Sequence, residues 1–568
     1  MNLNLKAKAE NTFDAIVIGS GISGGWAAKE LTEKGLKTLM LERGRKLDHI
    51  TDYPTAQAKP WEFPHRGRLP LEMQEKNPII SKCYAFREDA AHLFVKDDEH
   101  PYVQQKPFDW IRGYQVGGKS LMWARYTQRW SQHDFDGPAK DGFAVEWPIS
   151  YQDLAPWYSY VEKFAGISGS RDNLDALPDS EVLPPMEMNC VEKHFKGVVE
   201  QKYKNRHLII SRTANLSQAE PQHTKLGRVT CQRRDLCHRG CPFGAYFSTQ
   251  SSTLPAAAST GNLTLRTDSV VHSIIFDEEK RKATGVRVID TKTKQTTEYY
   301  AKIIFVNAAA FNTLLILQNS VSNSFPNGLG NESGVLGHYA AFHNYRIRAS
   351  GNHDGFADSY FYGRRPVGVY MPRFRNIFDD KQASYIRGYA VAGGGSRGRT
   401  GWADGFGADL KESLTQLGPW NMGLQGMGET IPQFENTVKL SKTKVDEWGI
   451  PQLEVNIGYG PNEEAMIGDM KSTLAEMLEA AGFRDVSVSD SKQAPGLDIH
   501  EMGGCRMGKS PKTSMLNSWN QLHAVKNVFV TDGACMTSTS TQNPSLTYMA
   551  MTARAADYAV GELKKGNF

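Results

Sequence analysis

Residues 13–42 read FDAIVIGSGISGGWAAKELTEKGLKTLMLE. The apolar run AIVIG leads into glycines, an Ala-rich helical pattern follows, and a second apolar run, KTLMLE, closes the unit on Glu42. Gly19, Gly21 and Gly24 stand in G-x-G-x-x-G spacing, with Glu42 about 18 residues further on, close to the roughly 20 that ribose recognition uses. Such a turn lets backbone N–H groups approach a pyrophosphate at a helix N-terminus, while the acid accepts hydrogen bonds from ribose hydroxyls. The glycine spacing alone is a weak signal. Strand, turn, helix, strand and terminal acid together predict a dinucleotide site; the alternative is a tight glycine turn in some other α/β unit.

The rest of the chain does not continue as simple strand–helix repeats. Residues 50–110 are irregular and rich in Pro, aromatic and charged residues, which reads as a surface excursion. A second glycine turn follows in RGYQVGGKSLMWARYTQRW, then strands around the charged DEEKRKATG, read as a solvated hairpin, and a strand–helix pair in AKIIFVNAAAFNTLLILQNS. From about 340 to 495 come β-like aromatic runs such as GVYMPRFRNIF, a Gly-rich segment at 393–407 and an amphipathic helical stretch, EEAMIGDMKSTLAEMLEAAGF. The tail returns to a glycine turn, a strand and an Ala-rich helix. The expected fold is therefore α/β, a Rossmann-like nucleotide domain assembled from 1–50, 105–130, 210–335 and 495–568, with a substrate domain on an antiparallel sheet inserted as 51–104, 131–209 and 336–494.

Charge narrows the partners. Lys and Arg number 66 against 62 Asp and Glu, a net charge of +4 over 568 residues. That is too little to imply nucleic acid or an anionic membrane and leaves small neutral ligands favoured. Lys6, Lys8 and Glu10 interrupt the region where an export signal needs an apolar run, so no signal peptide and no membrane span are expected. Seven unevenly spread cysteines argue for reduced thiols.

In the tail, LDIHEMGGCRMG sets His500 ahead of a glycine turn, and Asn543 opens a helix with Pro544 in its first turn. An imidazole and an amide so placed suit a proton acceptor and a hydrogen-bond partner for one ligand, although His500 also reads as an ordinary loop histidine. The segments VIGSGISGGWAAKEL, GYQVGGKSLMWA, HEMGGCRMG and VFVTDGA…NPSLTYMAMTARAA, in this order, closely resemble the glucose-methanol-choline (GMC) family of FAD oxidoreductases. Within it they look like the sugar-oxidising branch of pyranose oxidases and bacterial glucose, fructose, gluconate and glucoside 3-dehydrogenases.

The resemblance implies FAD, with Gly19, Gly21, Gly24 and Glu42 at its ADP half and Gly117, Gly118 and Ser120 passing the pyrophosphate and flavin. It sets Val271 beside the adenine, Asp532 beside the ribityl chain, and Asn543 and Thr547 beside the isoalloxazine. His500 takes the position of the catalytic base and Asn543 that of its partner; histidine supplies a base near neutrality without a large shift. Some pyranose oxidases bind FAD covalently through a histidine where this chain has Met122, so non-covalent FAD is expected. Gly504 and Cys505 replace the Thr-x pair of several relatives.

Cys231, Cys237 and Cys241, followed by Pro242 within the 225–250 segment, resemble the run that holds a [3Fe-4S] cluster in bacterial glucose and glucoside dehydrogenases. Zinc with His238 or His223, a disulfide, or inert thiols are the alternatives. The expectation is a dehydrogenase of a sugar or glycoside, favouring the C3 hydroxyl of a glucoside over glucose, gluconate or fructose. A small escort subunit and a cytochrome c-type acceptor are the implied partners, and the location is periplasmic by co-export or cytoplasmic. An oxygen-using pyranose-type oxidase and a flavin-binding redox sensor are the competing readings. Trp402 and Phe406 in the Gly-rich segment, read as a mobile loop, are candidates for stacking on a sugar, and Glu429 and Gln425 for facing the pocket.

Overall fold

The computed structural model describes residues 10–360, 365–399 and 406–568. The strand Thr12–Ile18 lies parallel to Thr38–Leu41, with Ala15 opposite Thr38 and Ile18 opposite Leu41. Between them runs the helix Ile22–Glu33. On the other side of the first strand Thr296–Val306 is also parallel, and Val528–Val530, from the far end of the chain, pairs with its last three residues. Leu263–Arg266 adds a further parallel strand beyond Thr38–Leu41. Ser269–Asp277 and Lys282–Asp290 form an antiparallel hairpin against the beginning of Thr296–Val306.

A parallel sheet is covered on both faces, so its strands are apolar throughout and alternate residues enter different layers. Ala15 and Val17 face Ala27, Ala28 and Leu31 of the first helix together with Ala555, Ala556 and Ala559 of the terminal helix Ser545–Lys564. Ile16 and Ile18 face the opposite core, with Leu314 of the helix Ala310–Asn319. Methyl-sized side chains on both helices permit the close approach.

The second sheet is antiparallel, in the order Arg484–Asp490, Ile347–His353, Leu417–Glu429, Tyr389–Arg399, Val369–Met371 and Ile209–Ile210, and the short strand His343–Asn344 pairs with the end of Leu417–Glu429. The helices Cys190–Lys202 and Pro461–Ala480 bury Val191, Phe195, Met470 and Leu474 against one face. Residues 50–110 hold short turns, one helix, Leu71–Lys76, and the two-residue strand Val103–Gln104, which pairs with Pro451–Asn456; a small core of Leu47, Tyr53, Phe86, Leu121 and Met122 packs the segment onto the second glycine turn.

One expectation is corrected. Residues 393–399 are not loop but the second half of the strand Tyr389–Arg399. A Cβ on Gly393 would lie 2.5 Å from the Gly423 carbonyl oxygen, and one on Gly395 would lie 2.3 Å from Val191. These glycines are therefore required where a neighbouring strand and a helix press on the sheet. Trp402 lies outside the described residues, and Phe406 is 92% exposed. In GVYMPRFRNIF only Val369–Met371 is strand.

This distinction is measurable. Gly395→Ala is expected to cost about 1–3 kcal/mol by overpacking and to lower the unfolding midpoint. Gly398→Ala, whose added Cβ meets nothing within 4 Å, leaves it unchanged, and thermal denaturation of both variants reads the difference.

Candidate active site

A cavity of about 760 Å³ opens at the C-terminal ends of the parallel strands and extends toward the second sheet. Its volume lies high in the range of roughly 300–1,000 Å³ for small-molecule sites, and its position is where open α/β sheets bind ligands. One end is lined by Gly19, Gly21, Glu42 and Val271, the other by His500, Asn543, Tyr345 and Arg348.

The first end is shaped by backbone contact. Gly19 has φ +94°, and its added Cβ would strike the Asn307 carbonyl oxygen at 2.3 Å. A Cβ on Gly24 would lie 1.9 Å from the Gly19 carbonyl oxygen, so that glycine lets the helix seat on the strand. Gly21 is different: nothing lies within 4 Å of its Cβ position, and it borders the cavity. Gly118 (φ +50°) brings the second glycine turn to the first, its Cβ position 3.3 Å from Gly21 Cα, and the Gly117 N–H donates to Ser20 Oγ at 2.9 Å. Ser120 binds back to the Gly117 carbonyl.

The first helix has no side-chain cap and no acid in its first turn, so its free N–H groups and positive dipole end serve an anion. Glu42 accepts from the Ser20 N–H (3.0 Å) and hydroxyl (2.6 Å) and from the Gly44 N–H (2.8 Å). Burial pushes its carboxyl up against those bonds, and the remaining lone pairs suit ribose hydroxyls. Asp532 is buried beside the turn, accepting from the Thr313 hydroxyl at 2.6 Å and the Ala534 N–H at 3.0 Å; burial pushes it up to about 6. Met122 lies on the cavity wall. An uncapped helix terminus, an open glycine face and a ribose-type acid form a donor and acceptor set that fits FAD.

At the other end a loop is fastened from both sides. Ala341 and Met502 exchange two backbone hydrogen bonds of 2.8 and 2.9 Å, while the N–H groups of Gly503, Cys505 and Met507 donate to the carbonyls of Gly533, Ala534 and Cys535. Ile499, a β-branched residue at φ +64°, turns the chain directly before His500, an arrangement that persists only where the surroundings enforce it.

Nε2 of His500 lies 3.1 Å from Asn543 Nδ2, and its Nδ1 lies 2.8 Å from Nδ1 of His343. His343 Nε2 reaches the carbonyls of Thr539 (3.1 Å) and Ser540 (3.0 Å). Asp498 accepts the His343 backbone N–H at 2.8 Å and stands 3.9 Å from His500 Nδ1. Burial lowers His343 to about 4; it takes His500 well below its ordinary value, helped by His343 and Lys119, and raises Asp498 to about 7. Lys119 is itself paired with Glu501 at 2.7 Å. Among the described residues, His343, Asp498 and His500 are the group whose ligand atoms all lie within 4.8 Å. Hydrogen bonding already engages both nitrogens of each imidazole.

The cysteines lie nearby. Cys231, Cys237 and Cys241 are half-buried free thiols within electrostatic reach of one another and of the buried Arg125, which also borders the cavity. Their sulfurs do not converge tightly enough to grip one ion among the described residues, which goes against a compact zinc site. His223 is also no ligand: its Nδ1 accepts from the Glu220 N–H and its Nε2 meets the Lys163 carbonyl, both at 3.1 Å, in the capping of the short helix Pro221–Thr224.

Gly19, Gly21, Glu42, Gly118, Ser120, Val271, Asp532, His500 and Asn543 all line the cavity. Thr547 does not; it is buried one turn into the terminal helix with its hydroxyl 2.8 Å from that of Tyr158. Glu429 also lies off the cavity, held at 2.8 Å by Arg387, and Gln425 donates to the Tyr345 carbonyl at 3.3 Å. Sequence reasoning missed His343, Asp498 and Arg125. Only Asp498, two residues before His500, carried a signal.

Models of the GMC oxidoreductase family match residues 13–338 and 432–552. The chain belongs to the GMC oxidoreductases. It is 27% identical to 2-methyl-1,2-propanediol dehydrogenase of Mycolicibacterium austroafricanum, over 96% of this chain and 94% of that one. It is 25% identical to the fructose dehydrogenase large subunit of Gluconobacter japonicus (97% and 98%) and to paromamine 6'-oxidase of Streptomyces fradiae (98% and 92%). The family implies FAD, in agreement with the glycine turns and Glu42.

Two predictions follow from this geometry. Gly21→Ala is expected to leave the unfolding midpoint of the cofactor-free protein unchanged while weakening FAD binding, because its methyl group enters only the cavity; Gly24→Ala lowers both. In pH profiles of kcat/KM, a base whose pKa is lowered stays neutral, and active, as pH falls below 6.5, and activity is lost only when it protonates. Asp498, raised to about 7, becomes anionic as pH rises through that value and favours proton uptake by His500, giving a second inflection that Asp498→Asn removes.

Proposed function

We propose that the protein is an FAD-dependent sugar dehydrogenase that oxidises a secondary hydroxyl of a glucoside, favouring C3 and giving a 3-keto glycoside. The observation that carries this reading is the His500–Asn543 pair, 3.1 Å apart, in the same cavity as the glycine turns. His500 Nε2 accepts the proton of the substrate hydroxyl, and the Asn543 amide orients the oxygen. Tyr126, Tyr345 and Arg348 line the same end and offer hydrogen bonds to a polyhydroxy substrate. When bound non-covalently, FAD supplies the acceptor for the hydride of the carbinol carbon. The relative named for fructose supports a sugar, with glucose, gluconate or fructose as alternatives to a glucoside.

The second part of the reading is a [3Fe-4S] cluster held by Cys231, Cys237 and Cys241, whose chemistry is the passage of single electrons. Thiolates suit it. Arg125 and Arg228 are buried, lack a carboxylate within ion-pair distance among the described residues, and keep Arg125 Nε and Arg228 Nη2 without partners. Both are within electrostatic reach of Cys241, and an anionic centre there answers their charge. A small escort subunit and a cytochrome c-type acceptor complete the proposal, the former consistent with a relative named as a large subunit; location is periplasmic through that subunit, or cytoplasmic.

Anaerobic mixing with a panel of sugars and glycosides is expected to bleach the flavin with at least one, NMR placing the new ketone. His500→Ala stays yellow and bleaches at least about 100-fold more slowly. Slow reoxidation by air, with iron, sulfide and an EPR signal that Cys237→Ser removes, marks the dehydrogenase; rapid peroxide formation without iron marks the oxidase.

A further inference from the structure

We propose that His343 is the positioning residue that holds His500 in the one tautomer able to act as a base, an inference that rests on the reading of His500 above. Hydrogen-bond directions assign the protons once both buried rings are neutral, the state that burial favours. A carbonyl oxygen accepts and never donates. His343 Nε2 faces two carbonyls, those of Thr539 and Ser540, so it carries a proton. A neutral imidazole carries one proton only, which leaves His343 Nδ1 as a bare lone pair. The atom opposite it, 2.8 Å away, is His500 Nδ1, which must donate. His500 therefore carries its own proton on Nδ1, and its Nε2, 3.1 Å from the Asn543 amide and bordering the cavity, presents a lone pair.

The reverse assignment defeats the chemistry. If His500 carried its proton on Nε2, it would offer the substrate hydroxyl a donor, and two bare Nδ1 lone pairs would face each other at 2.8 Å. With His343 in place, the substrate O–H bond breaks, an Nε2–H bond forms, and the electron pair of the O–H bond stays on the oxygen. The cation so formed keeps its Nδ1–H bonded to His343.

Backbone geometry fixes the second ring. His343 sits on the strand paired to the end of Leu417–Glu429, opposite Glu429, which Arg387 holds at 2.8 Å. The paired bonds between Ala341, two residues before that strand, and Met502 join its lead-in to the His500 loop. The ionisable groups around the two rings are Asp498 at 3.9 Å from His500 Nδ1, Lys119 with its partner Glu501, and Glu429 with Arg387 and Arg373; Tyr345, Tyr459 and Tyr548 face Asp498.

Two substitutions in the flavin-loaded enzyme separate the roles of the two nitrogens. His343→Asn places a carbonyl oxygen near the Nδ1 position and retains the acceptor; His343→Gln reaches toward the Nε2 position, retaining a donor to Thr539 and Ser540 without that acceptor. With KM and flavin content held, kcat/KM is expected to fall by about 30-fold or more in the Gln variant and to stay within about 5-fold in the Asn variant, the scale on which misplacing a base proton acts. The acid limb of the pH profile moves upward in both, since a ring able to carry like charge has gone.

Parental activity in the Gln variant, or equal losses in both with an unmoved profile, overturns the proposal. Both of those outcomes leave His500→Ala inactive, whereas turnover surviving in His500→Ala overturns the base itself and this inference with it. Should either variant fail to fold, 15N spectra of the unsubstituted holoenzyme labelled in histidine decide: one ring of the pair protonated at Nε2 and the other at Nδ1 is expected, and two rings of one tautomer overturn the proposal.

Discussion

The site depends on how one loop is tied. Residues 500–507 bond through Met502 to Ala341 on the substrate side and through Gly503, Cys505 and Met507 to Gly533, Ala534 and Cys535 on the nucleotide side. The His500 imidazole is thus fixed by backbone hydrogen bonds to the segment leading into His343–Asn344 and to the turn Gly533–Cys535 that follows Val528–Val530. Backbone bonds of this kind lose little on substrate binding and demand no side-chain reorganisation, which is what geometric catalysis requires. The strain at Ile499 is tolerated because these five backbone hydrogen bonds just beyond it hold the chain in place.

Burial then sets the chemistry. An exposed histidine is part protonated near neutrality, but loss of solvent favours the neutral form of the two facing imidazoles here, and His500 borders the cavity. The same loss of solvent raises Asp498, which has the His343 and Gly496 N–H groups as donors and, among the described residues, no Lys or Arg in contact. The result is a pocket that accommodates a positive charge only once a proton arrives, with an acid nearby to meet it.

Much of this was legible in the sequence because it is local. The first strand, turn and helix follow from apolar runs and glycine spacing, and Gly19, Gly21 and Gly24 each have separate physical reasons that the spacing encodes. The terminal helix and the Pro461–Ala480 helix follow from periodicity. The Gly-rich 393–399 stretch misled because composition alone does not distinguish glycines needed for mobility from glycines needed for crowding by Gly423 and Val191, which lie far away in the chain. His343 was illegible for a related reason: it is 157 residues from its partner, and a histidine opening a two-residue strand has no pattern of its own. Thr547, given by the resemblance alone, is turned inward to the Tyr158 hydroxyl while its neighbours Ser545 and Tyr548 border the cavity.

The cysteine corner gains its meaning from how the chain treats its other buried cations. Arg129 is met by Glu162 at 2.6 Å, and Arg239, within the cysteine segment itself, is met by Asp89 at 2.6 Å. Those pairs remove the several kcal/mol that an uncompensated buried charge costs. Among the described residues Arg125 and Arg228 receive carbonyls in place of carboxylates, Trp123 for the one, Gly244 and Phe164 for the other, and Arg125 also lies over the Tyr246 ring. On the proposed reading, the two arginines left without a carboxylate, both within electrostatic reach of Cys241, answer negative charge of another kind. Three thiols, which become anions on binding a soft metal, are the groups at hand to supply it. Because Arg125 also borders the cavity, that charge would stand beside the site where the substrate gives up its electrons.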